Sequence, residues 1–550
     1  MKKIVECVPN FSEGREMAVI DRITAEIRSV PDVLLLDVDP GKDTHRTVVT
    51  FAGSPEGVEE AAFRAIRMAA GLIDMSAHSG AHPRMGATDV CPFVPVSGVT
   101  MEECVQIARR LGRRVGEELK IPVYLYEEAA SSQERRSLAY LREGEYESLP
   151  EKLKKKGYKP DFGPNSFNKK SGATVIGARE FLIAYNVNLN TRDAKLASRI
   201  ANRIREKGYT RRDPETGEKE DVPGTLKALR AVGWYIPEYG MAQISVNLLS
   251  YRVTPLHRVF EEAERFAAEF GVRVTGSELV GLIPLEAMLE TGRHFLKKQG
   301  SSTGVSEQEL VRVAVQSLGM SEISEFKPEH KIIEYRFREK GELASMSVDA
   351  FLDELASDSP APGGGSVSAL CGALSAALSA MVGNLTFSRK GYEEVQEEMA
   401  VLAEEAQRLK EFFVEAIDLD TEAFRCVMAA YALPKKSKEE KQARDKAILD
   451  AMKEATRIPL AVLEKTIRAS ELALRMARKG NRNSLSDAGV AGLTASTAAE
   501  GAYYNVLINV KEIADEAFKK EMGEKANDLW RQAEKTTADI RKIMVAKLPG

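Results

Sequence analysis

His78 and His82 stand four residues apart in the run His78-Ser-Gly-Ala-His82-Pro-Arg-Met-Gly-Ala-Thr-Asp89. A metal pair at that spacing needs both rings on one helical face. Gly80 and Pro83 interrupt any helix there and no third ligand stands nearby, so no metal site is expected. An imidazole in a loop bounded by glycine and proline suits proton transfer instead, because a reference pKa of about 6.5 lets it give or take a proton near neutrality. Either histidine suits this reading, and residue type alone leaves open the plainer one, a solvated loop histidine. The loop Asp43-Thr44-His45-Arg46 adds another imidazole, at a strand edge or at a site.

A second feature is the loop Gly163-Pro164-Asn165-Ser166-Phe167-Asn168-Lys169-Lys170-Ser171-Gly172, preceded by Lys152, Lys154, Lys155, Lys156 and Lys159. Glycines let a backbone approach a ligand closely, and lysines attract a carboxylate-rich one. A solvated interdomain linker is the alternative. Farther on, Ala361-Pro362-Gly363-Gly364-Gly365-Ser366 opens a helix of small residues, where backbone N–H groups can hold an anion; no Walker phosphate loop is present.

Asp420 belongs to a seam spaced by threes and fours: Val395, Met399, Leu402, Ala406, Leu409, Phe413, Ala416, Asp420, Phe424, Val427 and Tyr431. That period is one face of a helix, and burial makes an unpaired carboxylate hold its proton to higher pH, which suits a general acid or base. A structural pairing with a lysine or a helix N-terminus is the alternative. Asp487, in the polar run Asn481–Gly489, and Asn505 with Asn509 add polar groups to apolar helices.

The elements that must position these residues fall into an α/β part and an all-α part. At 550 residues the chain exceeds the roughly 250–300 at which one core stops growing, so several domains are expected. Strands are expected at Ile4–Val8, Val33–Val38, Thr47–Phe51 and Val123–Tyr126. Helices follow at Pro55–Leu72, capped by Ser54, and from a Thr100/Glu103 capping box to Leu119. The pattern restarts with a strand at Phe181–Leu189, a helix from Thr191 to Lys207, a strand at Met241–Leu248 and helices opened by Thr254-Pro255 and Ser306. Two α/β halves are thus expected over 1–175 and 176–325, a charged linker over 326–342 and a helix bundle over 343–550. The stretch Ala369–Val382 is shorter than the ~20 residues of a bilayer span, so no membrane segment is expected.

Lys+Arg of 78 against Asp+Glu of 82 argues against a general nucleic-acid binder. Five scattered cysteines without a C-x-x-C pair fit a reducing cytoplasm.

Several motifs carry a resemblance. Val8-Pro9-Asn10-Phe11-Ser12-Glu13-Gly14-Arg15, His82-Pro-Arg-Met-Gly, Asp89–Val96 and Gly177–Leu189 resemble glutamate formimidoyltransferase. Pro362–Ser366, Asp420-Thr-Glu-Ala-Phe424 with Leu433-Pro434-Lys435, and Asn481–Gly489 look like formiminotetrahydrofolate cyclodeaminase. Their order matches the bifunctional formimidoyltransferase-cyclodeaminase family over nearly the whole chain. The resemblance implies transfer of a formimino group from N-formimino-L-glutamate to N5 of tetrahydrofolate, then ring closure to 5,10-methenyltetrahydrofolate with loss of ammonia, within histidine degradation and one-carbon metabolism. It implies His82 as transferase acid/base, Gly163–Gly172 as folate loop, Asp420 as cyclodeaminase acid/base, and Gly364, Ser366, Asp487 and Asn505 as further cyclodeaminase positions. It also implies a polyglutamylated folate substrate, no metal, and a homo-oligomer built from dimers. A formylglutamate-dependent formyltransferase and a non-catalytic folate-binding scaffold are the competing readings.

Overall fold

The computed structural model describes residues 3–42, 44–80, 83–213, 217–338 and 341–548, with the backbone alone at Lys156. His82 and Asp43 lie outside the described residues.

The first sheet grows from short apolar runs, three of which are wholly buried. Its strands are β1 (Ile4–Cys7), β2 (Asn10–Phe11), β3 (Val33–Gly41), β4 (Arg46–Gly53), β5 (Thr88–Ser97), β6 (Val123–Glu127) and β7 (Thr174–Ala178). β1 and β2, separated by Val8-Pro9, both lie between β4 and β5; β3 flanks β4, and β7 joins β5 to β6 in parallel. Helices α1 (Met17–Arg28), α2 (Pro55–Leu72) and α3 (Met101–Glu118) pack on this sheet through one apolar core that includes Phe51, Phe63, Phe93 and Ile66. Ser54 accepts the N–H of Gly57, and Thr100 with Glu103 forms the expected capping box, so local chemistry starts both helices where the sequence says. Two short helices, α4 (Leu138–Arg142) and α5 (Glu145–Lys152), lead toward the glycine/asparagine loop.

The second half begins with β8 (Ile183–Leu189) and α6 (Ala194–Ile204), capped by Asp193 rather than Thr191. A hairpin of β9 (Tyr209–Arg212) and β10 (Lys219–Val222) follows, then β11 (Leu229–Ile236), β12 (Met241–Leu248), α7 (Leu256–Glu269) and β13 (Val274–Val280). These make an antiparallel sheet in the order β11-β12-β8-β13. α8 (Leu285–Lys298) and α9 (Glu307–Ser317) come next.

The charged run expected as a plain linker carries α10 (Pro328–Lys331) and α11 (Ile333–Phe337). Ile332 pairs with Ile283 and both are fully buried, because apolar residues inside the charged run dock it on the α/β body. By compactness the chain divides into Met1–Met288 with Val315–Phe337, and Leu289–Ala314 with Arg338–Gly550. Thus Leu289–Ala314 packs with the helical unit: Ser302 donates to Asn384 at 2.7 Å, and Asn384 donates to the carbonyl of Gly304 at 2.8 Å.

The helical unit continues with α12 (Val348–Leu355), α13 (Gly364–Phe387), α14 (Gln396–Ala432), α15 (Lys438–Lys479), α16 (Leu485–Lys511) and α17 (Glu516–Lys547), and no strand occurs among the described residues beyond 341. The seam on α14 is buried from Met399 to Ala416 and again at Val427, while Tyr431 is exposed. α13 is 24 residues, longer than the apolar stretch suggested, because Gly364–Ser368 and Gly383–Phe387 extend it. It is the one described helix long and apolar enough to cross a membrane, and 61% of its apolar window is buried inside the protein. Ser366, Ser368, Ser375 and Ser379 are among the buried residues, as fits the centre of a bundle.

Candidate active sites

In the α/β unit the turn after β2 presents Glu13. One of its carboxylate oxygens accepts the backbone N–H of Gly14 (2.9 Å), Arg15 (2.8 Å) and Glu16 (3.0 Å), and lies 3.2 Å from Nε2 of His45. Burial opposes the charge on Glu13, but those bonds together with His45 outweigh it and hold its carboxyl below the usual range. His45 sits in the β3–β4 turn at a φ of +50°, its ring stacked on His78 with centroids 4.3 Å apart.

His78 is fully committed. Its Nε2 lies 2.9 Å from the carbonyl oxygen of His45, which can only accept, so Nε2 carries the proton. Its Nδ1 then accepts from Arg84 Nε at 3.3 Å. Burial lowers the His78 pKa, in keeping with this neutral form. Arg84 is 7% exposed and also pairs with Glu145 and Glu147, each at 2.6 Å, tying the histidine loop to the first turn of α5. Asp89 is fully buried, accepts the N–H of Met85 at 2.9 Å and pairs with Arg142.

The glycine/asparagine loop is fastened to the segment that follows His82. Ala87 donates to the Ser171 carbonyl (2.9 Å), Ala173 to the Met85 carbonyl (3.0 Å), and the Tyr146 hydroxyl to the Lys169 carbonyl (2.5 Å). Gly172, at φ +68°, has Met85 backbone so close that a Cβ would clash. At the other end Asp161 accepts the Leu125 N–H and pairs with Arg135, both at 2.8 Å. Gly163, Asn168 and Ser171 serve the loop's own geometry: Ser171 donates to the Asn168 side chain at 2.9 Å, and Gly163 packs against Ile121.

The expected lysine cluster is only partly available. Lys152 is buried, with Nζ donating to the Leu141 carbonyl at 3.0 Å and lying over the Tyr158 ring, because its helix turns it inward. Lys154 pairs with Glu151 at the surface.

Motif spacing gave no hint of a polar network on the second sheet. Asn186 and Asn188 alternate on β8 and are buried with Gln243. Gln243 donates to Asn188 (2.9 Å) and Glu278 (3.1 Å), Asn186 to Glu278 (3.1 Å), and Asn188 to Glu322 (2.7 Å). The available signal was the period of two, which puts both asparagines on one face of a strand.

In the helical unit Asp420 meets the N-terminus of α13. The Ser366 backbone N–H bonds the carboxylate, and Ser366 Oγ lies 3.4 Å from it while donating to the Ile417 carbonyl at 2.8 Å. Burial raises the Asp420 pKa, and the two bonds from Ser366 only partly counter it. A Cβ on Gly364 would stand 3.4 Å from Nδ2 of Asn505. Gly364, Ser366, Asp420 and Asn505 therefore converge. Asp487 does not join them, because it lies in the first turn of α16, 18 residues before Asn505 and about 27 Å along the same helix. Asn509, though on the same side as Asn505, donates to the Ala455 carbonyl at 2.8 Å and ties α16 to α15.

A two-sheet α/β unit whose histidine loop is laced to a glycine/asparagine loop is followed by a helical unit in which a half-buried carboxylate, its pKa raised by desolvation, meets a helix N-terminus, the build of a two-part enzyme. Family models place residues 4–179 in the formiminotransferase domain, N-terminal subdomain, 184–338 in the formiminotransferase domain, and 347–528 in formiminotransferase-cyclodeaminase. The chain is 44% identical to the mouse formimidoyltransferase-cyclodeaminase over 98% of both chains. It is also 44% identical to the glutamate formimidoyltransferase of Thermoplasma acidophilum, covering 56% of this chain and 98% of that one. A crystal structure of formiminotetrahydrofolate cyclodeaminase from Thermotoga maritima is 33% identical over 37% of this chain and 98% of that one, at a TM-score of 0.34. The chain belongs to the formimidoyltransferase-cyclodeaminase family.

Proposed function

We propose that the chain is a bifunctional enzyme, a glutamate formimidoyltransferase and a formimidoyltetrahydrofolate cyclodeaminase. It moves the formimino group from N-formimino-L-glutamate to N5 of tetrahydrofolate, then closes the ring to 5,10-methenyltetrahydrofolate and releases ammonia. The observation that carries this is the 44% identity with the mouse enzyme across both of its parts.

The transfer needs a group that takes the N5 proton and one that protonates the departing glutamate nitrogen as the tetrahedral carbon collapses. His82 is assigned this role from its motif, supported by the anchoring of the chain on either side of it through His78 and Arg84. The loop Gly163–Gly172 receives the folate, supported by its attachment to that same segment. Ring closure needs the amidine nitrogen protonated as it leaves; Asp420, kept protonated to higher pH by burial, supplies that proton. Gly364, Ser366 and Asn505 surround it, and Asp487 has no part in this cluster within one chain.

The folate is polyglutamylated on this reading, supported by the exposed Lys154 and Lys155 ahead of the loop. The reading also places the enzyme in histidine degradation, in the cytoplasm, and as an oligomer of dimers. Support for a second copy comes from apolar side chains left exposed on adjacent helices, Leu374, Met381 and Leu385 on α13 and Val490 and Leu493 on α16. Light scattering reads the mass of the assembly.

One coupled assay tests the central claim. Formiminoglutamate with tetrahydrofolate should give methenyl-folate absorbance and ammonia in equal amounts. Formylglutamate as the working donor would give product without ammonia and remove the formimino reading.

A further inference from the structure

We infer that His45, backed by Glu13, is a second proton-transfer group of the formimino-transfer site, with Nδ1 as its working atom. The inference rests on reading the α/β unit as the formimidoyltransferase.

Three independent observations carry it. Glu13 faces Nε2 of His45 at 3.2 Å, and a carboxylate only accepts, so Nε2 holds a proton and Nδ1 is left to exchange one. A carboxylate behind an imidazole fixes its tautomer, orients the ring and stabilises the imidazolium. Glu13 is itself immobilised by three backbone N–H groups, and Thr47 Oγ1 donates to its carbonyl at 2.5 Å.

His45 Nδ1 is buried and has no hydrogen-bond partner among the described residues. Buried ring nitrogens are ordinarily paired, and both nitrogens of the stacked neighbour His78 are. A buried nitrogen on a carboxylate-backed ring, unpaired among the described residues, is placed to bond a reacting group.

His45 also adopts a left-handed φ of +50°, unusual for a residue with a bulky side chain. Such a conformation persists only where surrounding structure enforces it, and it concentrates at working sites. The histidine loop runs close against this turn: a Cβ on Gly80 would stand 2.9 Å from the His45 Cβ. His45 thus lies against the loop whose sequence carries His82.

The chemistry then divides between two imidazoles. N5 of folate bonds to the amidine carbon and gives its proton to the first. The bond from that carbon to the glutamate nitrogen breaks, its electron pair stays on nitrogen, and the proton comes from Nδ1 of the His45 imidazolium. Neutral His45 regains a proton from water, and the other imidazole returns one to water.

Steady-state formimino transfer by the full chain and two variants tests this. His45→Asn and His45→Gly both tolerate the left-handed backbone. His45→Asn should lower kcat by about 100-fold with KM for formiminoglutamate within about twofold. Free imidazole should restore at least about tenfold of the kcat lost in His45→Gly, a response that a merely structural residue does not give. Near-parental kcat in His45→Asn, or loss without imidazole rescue in a His45→Gly variant of parental melting temperature, overturns the inference. If the unsubstituted chain transfers no formimino group, the functional reading falls and this inference with it.

Discussion

Gly365 leaves open the space that the Asp420 carboxylate occupies: a Cβ at position 365 would collide with both carboxylate oxygens. The first turn of α13 and the middle of α14 are held together at a point where no side chain fits, and the half-buried acid takes that place.

Gly365→Ala should therefore displace Asp420 without changing its chemistry. Overpacking of this kind costs about 1–3 kcal/mol. Ring closure is expected to fall by more than about tenfold while formimino transfer persists. Melting temperature and both activities on one preparation provide the check, and undiminished ammonia release would remove Asp420 from the reaction.

Asp420→Asn keeps the shape but not the exchangeable proton. Ammonia release should fall by about 100-fold, and 5-formiminotetrahydrofolate should accumulate when both substrates are supplied. Because burial raises the folded pKa, the folded chain binds this proton more tightly than the unfolded one. The group then costs stability as pH rises from the ordinary aspartate value to the raised one. The variant should flatten that part of the stability profile.

Glu6 gives a second pH dependence, away from the helices. Burial in the first sheet pushes its carboxyl up from 4.5 to about 7, with Arg179 opposing. Stability from this group is fully present below about 4.5 and declines until about pH 7, by about 3 kcal/mol. Glu6→Gln should raise the melting temperature at pH 8 and leave it nearly unchanged at pH 4.5. Equal shifts at both pH values would show that packing, not ionisation, governs the site.

His82→Ala should abolish formimino transfer and leave ring closure of supplied 5-formiminotetrahydrofolate intact, since the assigned groups belong to separate compact units. Parallel loss of the two activities in a folded variant would contradict two separate sites.

Neutralising Lys154 and Lys155 should raise the Michaelis constant for polyglutamylated folate at low salt, and less at high salt where screening shortens the reach of both charges. Monoglutamate folate is the control. A constant unaffected at low salt would return these lysines to a solvated surface.

What the sequence determined by itself is what depends on neighbours a few residues away. Ser54 before Pro55, and Thr100 with Glu103, start helices through bonds spanning three residues, and both helices begin where those residues put them. The seam of threes and fours on α14 predicted a buried face, and Met399 to Ala416 are buried because helical periodicity is a local property. Only the tertiary structure decided which distant groups meet. Asp420 meets Ser366 from 54 positions away, whereas Asp487, close in motif, stands at the far end of α16. Glu13 reaches His45, Lys152 turns inward, and the asparagines of β8 find Gln243 and Glu278, none of which spacing along the chain records. Contacts of this kind arise when strands and helices stack to bury their apolar faces. Burial then sets each carboxylate's hold on its proton, so the chemistry of Asp420 and Glu6 belongs to the packing rather than to the residue type.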